Sequence, residues 1–295
     1  MTEAITLTAP GIEAVILTYG ATLHRLRVRD ASGRMGDVLI GSDAPRRSRG
    51  FRGATIGRFA NRIRDARYPA PDGGADWVTL AANDGPHCLH GGPDGFDRRD
   101  WRVTAQSGGE TTLDLTSPDG DQGFPGELRA TATFALAAPA TLTVTYTATT
   151  TRPCPVSLTS HGFFNLSGGG PIAGHRLTIP ADRYLPSLSA EPAPVSGDFD
   201  FRAGRAIPPG IDHCFCPDPG APTHLDDPAR GLRMTLTSDQ PGLQVFVPPS
   251  GDAVCLEPQA WPDAPNRPDY PGAILRPGQH YRHQIRLSFS TKAAP

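Results

Sequence analysis

The chain has 295 residues, with 28 Lys plus Arg against 30 Asp plus Glu and a formal net charge of −2. That balance argues against a nucleic-acid or anionic-membrane surface as the main partner. Gly and Pro number 33 and 32 without any repeat, which excludes collagen, coiled coil and disorder and suggests many short strands.

No apolar run approaches the length of a membrane-crossing helix. The N-terminal MTEAITLTAPGIEAVIL has an early Glu3 and no basic stretch, so no signal peptide is expected. Cys88, Cys154, Cys214, Cys216 and Cys255 are odd in number and scattered. They point away from a disulfide framework and toward a reducing cytoplasm.

In chain order, the first segment with chemical promise is Gly57-Arg58-Phe59-Ala60-Asn61-Arg62-Ile63. Its two arginines suit hydroxyl-rich or anionic ligands, although this segment alone favours a pair of surface salt bridges. Residues 58–66 have room for at most a short helix. The preceding basic run, 46–52, reads as a solvated loop before it reads as a phosphate site. Next comes His87-Cys88-Leu89-His90-Gly91-Gly92, whose glycine pair allows backbone to approach a ligand or another segment closely.

Strands follow. Alternation of apolar and polar residues at 130–136, 141–147, 233–237, 243–247 and 285–289 predicts half-buried antiparallel strands. Turn clusters fall at 71–74, 117–120, 167–171 and 248–251. Residues 186–209 lack a strong strand pattern and read as a long ordered loop. A single domain over 1–295, an all-β antiparallel sandwich with one concave polar face, fits this pattern.

Two strand segments end in ionisable groups. In Pro155–His161, Ser157, Thr159 and His161 share the polar face of an expected strand, which places the histidine at a groove as a proton donor or acceptor, or as a structural residue. In Ala253–Pro258, Glu257 opposes Val254 and Leu256. Partial desolvation there favours a general base, with an ion-paired carboxylate as the alternative. Asp212-His213-Cys214-Phe215-Cys216 and the 87–92 segment hold zinc-ligand residue types at spacings that zinc does not use, so no metal is expected. P-loop, dinucleotide and nucleophile-elbow motifs are missing.

Six of these segments, in this order, resemble the aldose 1-epimerase (galactose mutarotase) family. They are GRFANRI at 57–63, LHGGPDGFDRRDW at 89–101, SPDGDQGFPG at 117–126, TSHGFFNL at 159–166, DHCF at 212–215 and CLEPQAWPDAPN at 255–266. The resemblance implies a β-supersandwich with a sugar groove and cofactor-independent interconversion of the α and β anomers of a free monosaccharide. It implies Glu257 as general base and His161 as general acid, with His90, Asp212, Asn61, Arg62 and Gln244 binding the sugar. A cytoplasmic monomer or weak homodimer is expected.

The chain also departs from the family pattern. Ser160, Gly162 and Phe163 stand around His161 where asparagine, threonine and tyrosine are common. The Tyr-Thr-Gly-Asn often found after the glutamine is replaced by Val245-Phe246-Val247-Pro248-Pro249. These departures leave the preferred sugar open. A sugar-binding protein without catalysis is a second reading. A phosphosugar or sugar-lactone enzyme, resting on the 46–52 arginines, is a third.

Overall fold

The structure is a computed structural model that describes residues 2–42, 46, 50–72 and 76–291. Parts of the 46–52 and 71–74 segments, including Arg47, Arg49, Gly73 and Gly74, lie outside the described residues. Among the described residues the fold is almost entirely strand, and helix is limited to six three-residue 3₁₀ turns. One of these, Arg64–Ala66, is the short helix expected after residue 58. Among the described residues no helix is long and apolar enough to cross a membrane.

The clearest alternation builds the largest sheet. In Leu128–Ala137 the side chains of Leu128, Ala130, Ala132 and Phe134 are buried while Arg129 is exposed and Thr131 and Thr133 are half-buried. Thr141–Thr150 and Tyr281–Thr291 repeat the pattern, pairing in register from Thr141 with Ser288 to Ala148 with Tyr281. Each buried Leu, Val or Phe contributes roughly 1.5–3 kcal/mol. Threonines on the outer face hydrogen-bond across strands, Thr112 to Thr133 at 3.0 Å and Thr131 to Thr147 at 2.7 Å.

Nine antiparallel strands result, running from Arg102–Gln106 at one edge through Thr141–Thr150 and Tyr281–Thr291 to Arg205–Ala206 at the other. A six-stranded sheet is ordered Phe163–Phe164, Val254–Gln259, Gly242–Phe246, Asp212–Phe215, Arg183–Leu185, Ala193–Pro194. A four-stranded N-terminal sheet begins with Ala4–Ala9. One core joins all three, drawing Ile5 and Ile16 from the N-terminal sheet, Phe134 and Leu287 from the largest, and Val245 and Leu256 from the six-stranded sheet.

Two expectations need correction. Residues 243–247 are not half-buried, because Gly242–Phe246 is a central strand whose Leu243, Gln244 and Val245 are all buried. Its alternation separates core from pocket, not core from solvent. Residues 155–161 are not one strand either. Cys154–Pro155 pairs with Ile274–Leu275, Ser157 makes an isolated bridge with Phe59, and Thr159–Ser160 pairs with Thr55–Ile56. The polar side of this ribbon is buried too, with Ser157, Thr159 and His161 all inside.

Phe134 is fully buried in the joint core. Truncation, Phe134→Ala, is expected to lower stability by about 3–5 kcal/mol, read as a lower midpoint in urea denaturation.

Candidate active site

The site is assembled by segments that cross between the regular strands. Asn61 and His90 both have left-handed backbone, with φ of 64° and 55°, a conformation in which Asn and His are enriched among non-glycine residues. The two exchange main-chain and side-chain contacts. His90 N–H donates to the Asn61 carbonyl at 3.0 Å, and Asn61 N–H donates to His90 Nδ1, also at 3.0 Å. The second bond sets the neutral ring's tautomer, with the proton on Nε2. At Gly91, φ is +88° and an added Cβ would collide with the Gly57 carbonyl. The glycine pair therefore serves the approach of one chain segment to another.

His161 follows the short Thr159–Ser160 strand. The peptide three residues earlier is clamped on both sides. Leu158 N–H donates to the Tyr281 hydroxyl at 3.0 Å, and buried His283 Nδ1 donates to the Leu158 carbonyl at 2.7 Å. His283 Nε2 then accepts from the Ser238 hydroxyl at 2.9 Å. The backbone of His161 itself is bonded to the 53–54 peptide region, with its N–H to the Ala54 carbonyl and its carbonyl from Gly53 N–H, each at 2.9 Å.

Glu257 lies inside strand Val254–Gln259, in register with Gln244 on the neighbouring strand. It is 1% exposed, against 5% for His161 and 6% for His90, so the partial desolvation expected from sequence is complete burial. Glu257 Oε1 is 3.5 Å from His161 Nε2. Burial, reinforced by the charge of Asp212 and offset by Arg62, raises the Glu257 carboxyl well above the usual range. Burial pushes His161 down to about 4. His90 is lowered further from its ordinary value by burial, with His161 and Arg62 adding to the effect. The buried pair therefore favours a neutral imidazole beside a protonated carboxyl, one shared proton in all.

Arg62, Asp212 and Gln244 are drawn together with Asn61 in a pocket that is also lined by Leu185, Ser187, Leu188, His213, Cys214 and Pro262. Asp84 Oδ2 accepts from Arg62 Nε at 2.7 Å and aims the guanidinium. Gln244 Nε2 donates to Asp212 Oδ1 at 2.6 Å. Among the described residues, Gln244 Oε1 and Glu257 Oε2 are buried without a hydrogen-bond partner, a pair that a hydroxyl-rich ligand would satisfy.

All seven residues singled out from sequence thus fall on this pocket or on the buried trio beside it. Leu185, Ser187 and Leu188 were missed because the strand and loop that carry them hold no chemical signal, and Asp84 because its partner is 22 residues away. One other reading changes. Arg58 is neither a ligand nor a surface pair: it is 2% exposed and donates to Ser117 Oγ and to the carbonyls of Ser117, Pro118 and Pro125. Arg46 is exposed and pairs with Asp100, in keeping with a solvated loop, while Arg52 is half-buried, over the Phe163 ring and 4.0 Å from Asp252. Cys88 and Cys255 are buried and burial raises both thiols, which makes them poor nucleophiles.

His90, His161 and Glu257 offer ligand atoms within 4.8 Å of one another, the residue types of a metal centre. The donor set fits poorly. A metal on His90 Nε2 would require a proton on Nδ1, where Asn61 N–H already points. The arrangement is suited instead to moving a proton between two groups over a bound polar ligand.

The sequence pattern of the aldose 1-epimerase family matches residues 3–288. The chain is 34% identical to the aldose 1-epimerase of Escherichia coli K12, over 95% of this chain and 92% of that protein. It is likewise 34% identical to the galactose mutarotase of Homo sapiens, over 93% and 90%. Among solved structures, an aldose epimerase homologue from C. elegans superposes with a TM-score of 0.94 at 25% identity, covering 99% of this chain and all of that one. The galactose 1-epimerase of Lactobacillus acidophilus, at 24% identity and a TM-score of 0.86, shares the fold. With a family match across nearly its whole described length and relatives of this identity, the chain belongs to the aldose 1-epimerase family.

Proposed function

We propose that this chain, an isomerase of the aldose 1-epimerase family, opens and recloses the ring of a free aldose using Glu257 and His161 as its proton-transfer pair. The observation that carries the reading is the 3.5 Å approach of Glu257 Oε1 to His161 Nε2, both buried, beside a pocket lined by Asn61, Arg62, Asp212 and Gln244.

The anomeric hydroxyl and the ring oxygen share one carbon, so a base and an acid held side by side reach both. As the sugar binds, the pair's single proton passes from Glu257 to His161 across their 3.5 Å approach. Glu257 then takes the hydroxyl proton while protonated His161 delivers one to the ring oxygen. The C1–O5 bond breaks and the aldehyde forms. Glu257 is then protonated and His161 neutral, the state that burial favours in the free site. After rotation about C1–C2 the roles reverse and the ring closes to the other anomer, and the proton returns to Glu257 when the product leaves. The pair carries one proton throughout and ends as it began. His90, with its proton on Nε2, donates a hydrogen bond to the sugar near the ring oxygen. Arg62, Asn61, Asp212 and Gln244 hold the hydroxyls, and holding the sugar in one orientation supplies a further entropic gain.

A phosphosugar substrate draws no support from the described part of the 46–52 run, where Arg46 and Arg52 are engaged by Asp100 and by Phe163 and Asp252. Five unpaired cysteines support a reducing compartment, the cytoplasm.

Anomeric equilibration of freshly dissolved α-glucose, α-galactose, α-xylose and arabinose, followed by polarimetry, tests the activity and ranks the sugars. Glu257→Gln and His161→Asn are each expected to lose about 10²–10⁴ in kcat with the fold intact by circular dichroism. An active Glu257→Gln enzyme would sink the assignment. The pH profile of kcat/KM is expected to be a bell. Its acid limb lies near 4, where His161 in the neutral-pair state takes a second proton, and its alkaline limb lies above the ordinary carboxylate range, where Glu257 gives up the last one. Asp84→Ala, which releases Arg62, is expected to raise KM by about 3- to 10-fold with kcat nearly unchanged, as measured by steady-state polarimetry.

A further inference from the structure

His161 has the task of a proton carrier but not the usual means of being aimed. Among the described residues its Nδ1 has no hydrogen-bond partner in another residue, the one backbone bond being to His161 itself, and its Nε2 stands 3.5 Å from Glu257, beyond good hydrogen-bond range. What touches the ring is aromatic. Phe51 stacks against it at 5.8 Å between centroids and 16° between planes, and Phe163 at 5.2 Å and 17°. Phe51 also meets His90 edge-on at 4.7 Å.

Phe51 is placed there deliberately by the backbone. Its φ is +55°, a left-handed conformation that a bulky side chain adopts only when its surroundings enforce it. The enforcement is visible: Ala54 N–H closes the turn onto the Phe51 carbonyl at 3.0 Å, and residues 53 and 54 bond to the His161 main chain in both directions. The strained turn and the histidine are therefore one hydrogen-bonded unit. Such outliers gather where function depends on geometry.

We infer that Phe51 and Phe163 are positioning residues for the reaction, whose stacked rings hold the His161 imidazole in the orientation that faces Glu257 and the sugar. The inference rests on His161 being the proton carrier. The stacking has a second consequence. It keeps water from the ring, so that the charged groups reaching His161 are Glu257 directly and His90 at its edge, with Arg52 beyond the Phe163 ring at 4.5 Å and Asp252 beyond that. Asp212 and Arg62 act on Glu257. With that set unchanged, removing a phenyl ring lets water in and raises the histidine's proton affinity.

The test is Phe51→Leu, Phe51→Tyr and Phe163→Leu, read by steady-state polarimetry and by titration of the His161 imidazole in NMR. Phe51→Leu and Phe163→Leu are each expected to lower kcat by about 10- to 100-fold, with KM changed less than about threefold. In both, the His161 titration should move from about 4 toward 6.5. Phe51→Tyr, which keeps a flat ring, should restore kcat to within about threefold of the native enzyme. Phe51→Gly relieves the left-handed strain but removes the ring, so its kcat should match that of Phe51→Leu. An unmoved His161 titration in Phe51→Leu and Phe163→Leu, or a kcat within twofold of native in either, would overturn the inference. So would a Phe51→Tyr enzyme as slow as Phe51→Leu. If His161→Asn were itself fully active, the proton-carrier role would fall first, and the NMR titration would still report whether the rings control the imidazole.

Discussion

Everything at this site depends on placing a carboxyl and an imidazole side by side where water cannot reach either. In water a carboxylate and an imidazole differ by about two units in proton affinity, and the proton sits on the imidazole. Burial of Glu257 and His161 penalises both charged forms and reverses that preference. In the proposed mechanism, the two arrangements of a single proton, on the acid or on the ring, serve as the two protonation states that ring opening and ring closing each need. A sugar with a hydroxyl at one end and a ring oxygen at the other completes the circuit. No charge has to be carried in from solvent during the cycle.

Such a pair is costly to bury, and the surrounding chain shows how its place is enforced. The segment leading to His161 does not run as a regular strand. It is caught at Leu158 by Tyr281 and His283 from the last strand of the large sheet and at His161 by the 53–54 turn. Glu257, by contrast, rides on a regular strand of the six-stranded sheet, second from its edge. One partner is thus fixed by sheet register, and the other by a set of side-chain and turn contacts that come from distant parts of the sequence. Gln244, opposite Glu257 in register, extends the same sheet into the pocket.

The arginines divide in a way that their spacing conceals. Arg58 and Arg62 stand four residues apart, yet Arg58 is spent inside on the carbonyls of the 117–125 loop and Arg62 lines the pocket under the hold of Asp84. The chain between them turns through the left-handed Asn61, which sends the two side chains to different places. A guanidinium bonded to several carbonyls fastens a loop as firmly as an ion pair would, without placing a second charge indoors.

The sequence by itself determined the strands of the large sheet, because alternation of apolar and polar residues is a local signal and the sheet has a dry face and a wet one. It also marked Glu257, His161, His90, Asn61, Arg62, Asp212 and Gln244, through ordered motifs that need no knowledge of contacts. Only the tertiary structure decided that the 155–161 ribbon is broken into three pairings, that Gly242–Phe246 is buried on both faces, and that Arg58 turns inward. The reason is the same in each case. Alternation separates two sides of a strand but does not say what covers each side. In this protein the second cover is another part of the chain, brought near by strand order and by left-handed turns at Phe51, Asn61 and His90 that no period along the sequence reveals.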